Sequence, residues 1–317
     1  MASKESTLTT NERARTLVGV CVLNWNSGRT LATCLRNLES ALASFRHQVV
    51  VVDNRSSDDS IALVRGQFAN VNLIENEFNS GYARGNNVGA NYLLDKKCDL
   101  LMFLNPDVTL KGDSIANLIQ TLLARPDAGC VGGVPFAASG EELVAARTRP
   151  SFLEKLVMYG ALHHIRPLEA RCRKHFVNSR RVGEGELVYA ACGACLLFRS
   201  TAFVQAGGFD EHTFLYEEEM IIAERLKACG WKVALCTTAT YRHVGGHVTG
   251  RIPYRRRLYL ISSENYLLRR YYNWNPTLCE ALRLYRYAEW IGYAAVLGIA
   301  HLISHRSSRL RGGQLTD

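Results

Sequence analysis

From Leu17 to Asn24 the chain reads LVGVCVLN, an apolar run that ends on a polar residue, the pattern of a strand buried on both faces. Leucines at 31, 35, 38 and 42 then recur at helical spacing, predicting a helix from Thr30 to Leu42. His47 to Asp53 predicts a second buried strand running directly into DNRSSDDS, where Asp58 or Asp59 would cap a helix starting near Ser60. Val71 to Glu75 predicts a short third strand and Tyr82 to Leu94 a helix. Leu100 to Leu104 predicts a fourth strand, which ends in Asn105-Pro106-Asp107. A less regular, basic stretch from Ala145 to Arg181 is either an insertion that shapes a cleft or a set of surface helices. Beyond it Glu186 to Arg199 is strand-like, Thr213 to Cys229 helix-like and Trp231 to Cys236 strand-like.

Short buried strands alternating with helices predict an α/β fold with a mostly parallel central sheet flanked by helices. In such sheets ligands bind beyond the carboxyl ends of the strands, and Asn24, Asp53 and Asp107 all fall there, which predicts one composite site.

Composition narrows the class. The 317 residues, 47% of them hydrophobic, are enough for one large α/β domain with an appendage or for two domains, and exclude a small scaffold or a disordered chain. The net charge of +9 is uneven: residues 251–317 hold 11 basic and 4 acidic residues, a net +7. There the basic residues are interleaved with tyrosine, tryptophan and leucine, which suits an anionic membrane surface as well as an ordinary solvated helix face. No base-reading module accompanies them, so nucleic acid is not expected as a partner. Residues 1–16 read as a flexible polar start without the apolar core of a signal peptide. Ten cysteines are too few for a disulfide scaffold of this length, so a reducing, cytoplasmic location is expected. Cys192 and Cys195 form a CxxC inside an apolar run and read as buried thiols rather than as a metal or redox pair. Trp290 to His305 is too short an apolar stretch to span a bilayer and reads as a buried or interfacial helix.

The candidate chemistry is acidic. The first strand is followed by NWNSGRT, which lacks the glycine pattern of a dinucleotide fold. Gly81, Gly85 and Gly89 serve either close helix packing or a backbone role near a ligand. Asp107, stiffened by Pro106, is either a turn residue or a carboxylate presented to a divalent cation that bridges phosphates. The run Glu217-Glu218-Glu219 either favours a helix dipole or holds one carboxyl of raised pKa able to act as a general base. His243, in YRHVGGHV, is a candidate metal or phosphate ligand or an ordinary loop histidine.

Taken in order, VLNWNSGRTLATCLRNL, VVVVDNRSSDDS, NEFNSGYARGNNVGAN, LMFLNPDV, ACGACLLFR, GGFDEHTFLYEEEMIIAERLKACGW and HVGGHV resemble the inverting family-two glycosyltransferases. The resemblance is to the rhamnosyltransferase-like branch of bacterial polysaccharide assembly, over about Val18 to Gly250. It implies a GT-A nucleotide-diphospho-sugar transferase fold over residues 17–250, followed by a helical appendage at 251–317. By that resemblance Asn24 and Asp53 lie at the donor nucleotide, Asn76, Arg84 and Asn87 flank the nucleotide sugar, and Asn105-Pro106-Asp107 is the metal motif, with Asn105 and Asp107 among the donor-binding residues. Asp107 and His243 would then hold Mg²⁺ or Mn²⁺, and the catalytic acid pair falls on Glu218 and Glu219. The chain departs from the family pattern at Ile221, usually acidic, and at HVGGHV, usually HxxGxS.

The implied reaction is inverting transfer of a sugar from a nucleoside-diphosphate donor to a hydroxyl of a glycan or polyprenyl-linked glycan. The donor expected first is dTDP-rhamnose, and next a UDP-hexose. Peripheral attachment at the inner membrane face and a homo-oligomer are compatible with this reading. The alternative is a non-catalytic nucleotide-sugar-binding or scaffolding protein.

Overall fold

A computed structural model describes residues 15–158, 162, 165–244 and 253–292. The N-terminal half is a parallel α/β unit: β1 (Leu17–Asn24), α1 (Gly28–Ala41), β2 (Arg46–Asp53), α2 (Ser60–Gln67), β3 (Asn72–Glu75), α3 (Gly81–Asp95) and β4 (Leu100–Leu104). The strands lie in the order β3-β2-β1-β4, all parallel. Period-2 alternation splits β1 between two core layers. Val18, Val20 and Val22 face Leu31, Leu35 and Leu38 of α1, and Cys21 faces the layer that holds Ala83, Ala90 and Leu93 of α3.

After β5 (Val108–Leu110), α4 (Ser114–Ala124) leads into β6 (Ala128–Phe136). The 145–181 stretch forms β7 (Ala146–Arg147), α5 (Phe152–Met158), α6 (Arg166–Cys172) and β8 (Phe176–Val177). Then come β9 (Glu186–Val188), β10 (Ala190–Ala191), β11 (Cys195–Arg199), α7 (Ser200–Gln205), α8 (Glu218–Ala228), β12 (Lys232–His243) and α9 (Pro253–Arg270), with a further helical segment over 276–292. The sheet continues β4-β11-β6-β12-β5, with β9 also on β12, and a small second sheet runs β10-β7-β8.

Past β4 the sheet is mixed, because β11 is antiparallel to both β4 and β6 while β6 and β12 run parallel. β6 reads poorly as a strand because AGCVGGVPF carries three glycines and a proline. Two of those glycines admit close neighbours: a Cβ on Gly132 would sit 2.4 Å from the Ala191 Cβ, and one on Gly133 would sit 2.6 Å from the Ala239 carbonyl oxygen. Two sequence expectations are corrected. The run from Glu186 to Arg199 is three strands that pair differently, β9 with β12, β10 with β7, and β11 with both β4 and β6. The helix expected from Thr213 begins only at Glu218, because Tyr216 and Glu217 take left-handed φ values of 76° and 66°. Residues 1–14 and most of the Trp290 to His305 stretch lie outside the described residues.

The two C-terminal helices join the core. Leu267 and Leu268 of α9, with Tyr272, Cys279 and Leu282 beyond it, are buried in the cluster that contains Phe103, Phe209 and Ile222. No described helix is long and apolar enough to cross a membrane.

Candidate active site

A cleft of about 380 Å³ opens at the carboxyl ends of β1 and β4, where the strand order reverses direction. Trp25 and Ser27 line it after β1, Asn54 after β2, and Asn105, Pro106 and Asp107 after β4. Arg147, Gly193 and the segment Phe214 to Glu219 close the other side.

Asn24 and Asp53 end neighbouring strands in register and are buried beside the cleft. Asn24 Nδ2 donates to Asp53 Oδ1 at 2.6 Å, and Asp53 also accepts from the Ser56 amide at 2.8 Å and the Ser56 hydroxyl at 2.6 Å. Asn24 Oδ1 is buried with no hydrogen-bond partner among the described residues. Asn76, Arg84 and Asn87 are on the flank and do not line the cleft. Asn76 Nδ2 donates to Asn54 Oδ1 at 2.8 Å, and Arg84 pairs with Glu211 at 3.2 Å. Asn87 pins Phe209 through bonds to its carbonyl at 2.9 Å and from its amide at 3.0 Å. Asn105, Asp107, His243, Glu218 and Glu219 are the sequence-predicted residues that the cleft brings together.

The pairing of β5 with β12 joins Asp107 to His243. Val108 is in register with His243, and the Val244 amide donates to the Asp107 carbonyl at 3.3 Å, so the Asp107 Oδ1 and His243 Nε2 atoms lie 3.3 Å apart. One carboxylate oxygen and one imidazole nitrogen on a partly exposed wall fit a divalent cation that takes its other ligands from phosphate and water, and suit manganese better than magnesium. Among the described residues no group of three His, Cys, Asp or Glu forms a self-sufficient metal site.

The acid pair faces the cleft from the first turn of α8. Burial pushes the Glu218 carboxyl up to about 8, with the charges of Glu219 and Glu217 adding to the shift, and its Oε1 has no hydrogen-bond partner among the described residues. Glu219 forms an ion pair with Arg147 Nη1 at 3.6 Å. Two adjacent carboxyls thus sit in unlike surroundings, one buried and one paired with a guanidinium.

Sequence reasoning missed Arg147, Asn54, Trp25 and Tyr82. Arg147 reaches the cleft on the two-residue strand β7, within the irregular basic stretch. Asn54 lies inside the DNRSSDDS motif and is a hub, donating to the Gly81 carbonyl at 3.0 Å and accepting from Asn76 at 2.8 Å and Ser80 at 3.1 Å. The Tyr82 hydroxyl donates to the Gly193 carbonyl at 2.9 Å. The CxxC does not form a disulfide: Cys195 is buried, and Cys192 lines the cleft as a free thiol.

A mixed, mostly parallel α/β sheet with an acidic cleft at its carboxyl ends is the architecture of GT-A glycosyltransferases. The chain belongs to glycosyl transferase family 2, whose sequence profile matches residues 19–202. It is 28% identical over 250 residues to an N-acetylglucosaminyl-diphospho-decaprenol L-rhamnosyltransferase of Mycobacterium tuberculosis, covering 74% of this chain and 78% of that one. It is 24% identical over 199 residues to an O-antigen chain rhamnosyltransferase of Salmonella anatum, covering 62% of this chain and 56% of that one. Among solved structures, the mannosyltransferase PcManGT from Pyrobaculum calidifontis, in complex with GDP-Man and Mn2+, matches with a TM-score of 0.53 at 17% identity, covering 92% of this chain and 79% of that one. GalNAc-T7 with UDP, GalNAc and Mn2+ matches with a TM-score of 0.51 at 16% identity over 72% of this chain, which spans 44% of that one. At these identities the structural likeness establishes the fold.

Proposed function

We propose that the protein transfers a sugar, with inversion, from a nucleoside-diphosphate donor to a hydroxyl of a glycan or polyprenyl-linked glycan. The proposed donor is dTDP-rhamnose, with a UDP-hexose next. The observation that carries the reaction class is the cleft itself, which sets the Glu218–Glu219 pair and the Asp107–His243 pair around one space at the strand ends. The rhamnosyltransferase relatives support the choice of donor, and the decaprenol-linked acceptor in one relative's name supports a lipid-linked acceptor.

In this reading the Glu219 carboxylate removes the proton from the acceptor hydroxyl. The acceptor oxygen attacks the anomeric carbon, and the bond from that carbon to the diphosphate breaks, its electron pair leaving with the diphosphate. Asp107 and His243 are the residues that would hold a divalent cation, whose charge would offset that of the departing diphosphate. Arg147 orients Glu219, and Glu218, protonated at neutral pH, keeps a second negative charge away from the base. Asn24 and Asp53 form the nucleotide side, with Asn24 Oδ1 the open acceptor, while Asn76, Arg84 and Asn87 act from the flank by holding Asn54, Glu211 and Phe209.

The test is a pair of isosteric exchanges assayed for sugar transfer and nucleotide binding. Glu219→Gln should lower turnover by about 10²- to 10⁴-fold with nucleotide binding retained, while Glu218→Gln keeps measurable activity. The reverse pattern would move the base to Glu218, and full activity in both variants would remove the acid pair from the mechanism.

A further inference from the structure

The segment that carries the acid pair is strained and held from outside. Tyr216 and Glu217 both adopt left-handed backbone, though neither is a residue type that favours it, so surrounding contacts must impose the turn. Those contacts come largely from α9. The ring of Tyr259 stacks on Phe214 with centroids 4.4 Å apart, and the Ser263 hydroxyl donates to the Leu215 carbonyl at 2.8 Å. At Glu217 the side chain turns away from the cleft and meets Lys155 Nζ. Lys155 also lies 3.6 Å from Glu264 of α9, and Glu264 lies 3.2 Å from Arg286 in the helical segment over 276–292. Arg286 closes the cluster by donating to the carbonyls of Lys155 and Leu156. All four charged side chains are at most 3% exposed, and Arg286 also meets Glu289 at 3.4 Å, which pairs in turn with Arg257 at 3.6 Å, so three cations face three anions.

Such a cluster is a poor source of net stability, because desolvation offsets most of the attraction, but it fixes geometry strictly. It also sorts three consecutive glutamates, drawing Glu217 inward while Glu218 and Glu219 face the cleft.

We propose that Glu264, Lys155 and Ser263 are positioning residues for the acid pair, so that the C-terminal helices belong to the catalytic architecture. The inference rests on the transferase reading for its kinetic consequence, but its structural content stands apart. The two C-terminal helices set the left-handed turn at Tyr216-Glu217, and that turn sets where α8 starts and where the Glu218 and Glu219 carboxyls point.

The experiment compares wild type with Glu264→Gln, which keeps the shape and removes one charge, and with Ser263→Ala, which removes a single hydrogen bond. Turnover and the dissociation constant of dTDP or UDP are measured alongside amide hydrogen exchange. Both variants should lower kcat, Glu264→Gln by about 10- to 100-fold, at unchanged nucleotide affinity. Exchange should rise in residues 213–219 and stay constant in β1 to β4. Wild-type exchange in that segment for both variants overturns the proposal, as does a loss shared equally by nucleotide binding and strand protection. If wild type transfers no sugar from any donor, the transferase reading fails, and the exchange pattern still decides whether the helices set the turn.

Discussion

Glu218 and Glu219 are adjacent in the chain, yet their surroundings differ as much as those of unrelated residues. Burial beside two other carboxylates raises Glu218 to about 8, above the range of an exposed glutamate near 4.5. The folded protein therefore binds a proton that the unfolded chain releases, and the stabilisation present below about pH 4.5 is lost as the pH rises through about 8. Glu218→Gln removes this dependence, so its melting temperature relative to wild type should climb from pH 5 and level off above about pH 8. A difference that stays flat with pH would contradict the burial account. The acid pair and Asp107 stood out in the sequence as candidates, the first in a run of three glutamates after Phe214-Leu215-Tyr216 and the second just past an apolar strand. The sequence did not show Arg147, which meets Glu219 only through the folded arrangement of β7 and α8, with no local pattern to announce it.

At the scale of elements, β1, β2, β4 and α1 were legible because each is one uninterrupted period of hydrophobicity, and α2, β3 and α3 because they alternate with them. The region from Val108 to Phe136 was not, since glycine and proline within β6 mimic a loop while serving close packing. The Glu217 turn was equally hidden, its conformation being imposed by α9 and Lys155 rather than by its own residues. Gly81 marks where the two sides of the cleft meet. Its φ is +83°, an added Cβ would lie 2.5 Å from the Phe214 carbonyl oxygen, and that same oxygen accepts the Tyr82 amide at 2.9 Å. Gly81→Ala should destabilise the fold by about 1–3 kcal/mol in urea denaturation and lower turnover, because both strain and overpacking fall on this contact. Gly85 and Gly89, one and two turns further along α3, serve packing: a Cβ at Gly89 would lie 2.2 Å from Cys21 Sγ.

For the whole molecule, the basic C-terminal region cannot be treated as detachable, since Leu267, Leu268 and Leu282 complete a core layer and Arg286 closes the buried cluster. Lys155→Met should therefore cost about 3–5 kcal/mol in urea denaturation by leaving Glu217 and Glu264 short of a cation, and a near-neutral effect would argue against the cluster. The role proposed for the surplus positive charge is attraction to an anionic membrane, and it is tested on the intact fold at Arg255 and Arg256, both exposed at the start of α9. Arg255→Glu with Arg256→Glu should weaken sedimentation with phosphatidylglycerol vesicles. Equal, negligible sedimentation by both proteins would reject that role. The central claim is that the cleft between Asp107 and the acid pair is a nucleotide-sugar site. It is tested most directly by titrating wild type and Asp107→Asn with a panel of nucleotide sugars that includes dTDP-rhamnose and UDP-glucose, with and without Mn²⁺. The account predicts binding of one donor by wild type that strengthens with Mn²⁺ and loses that strengthening in Asp107→Asn. Absence of binding to every nucleotide sugar, or binding that neither Mn²⁺ nor the substitution alters, would contradict it.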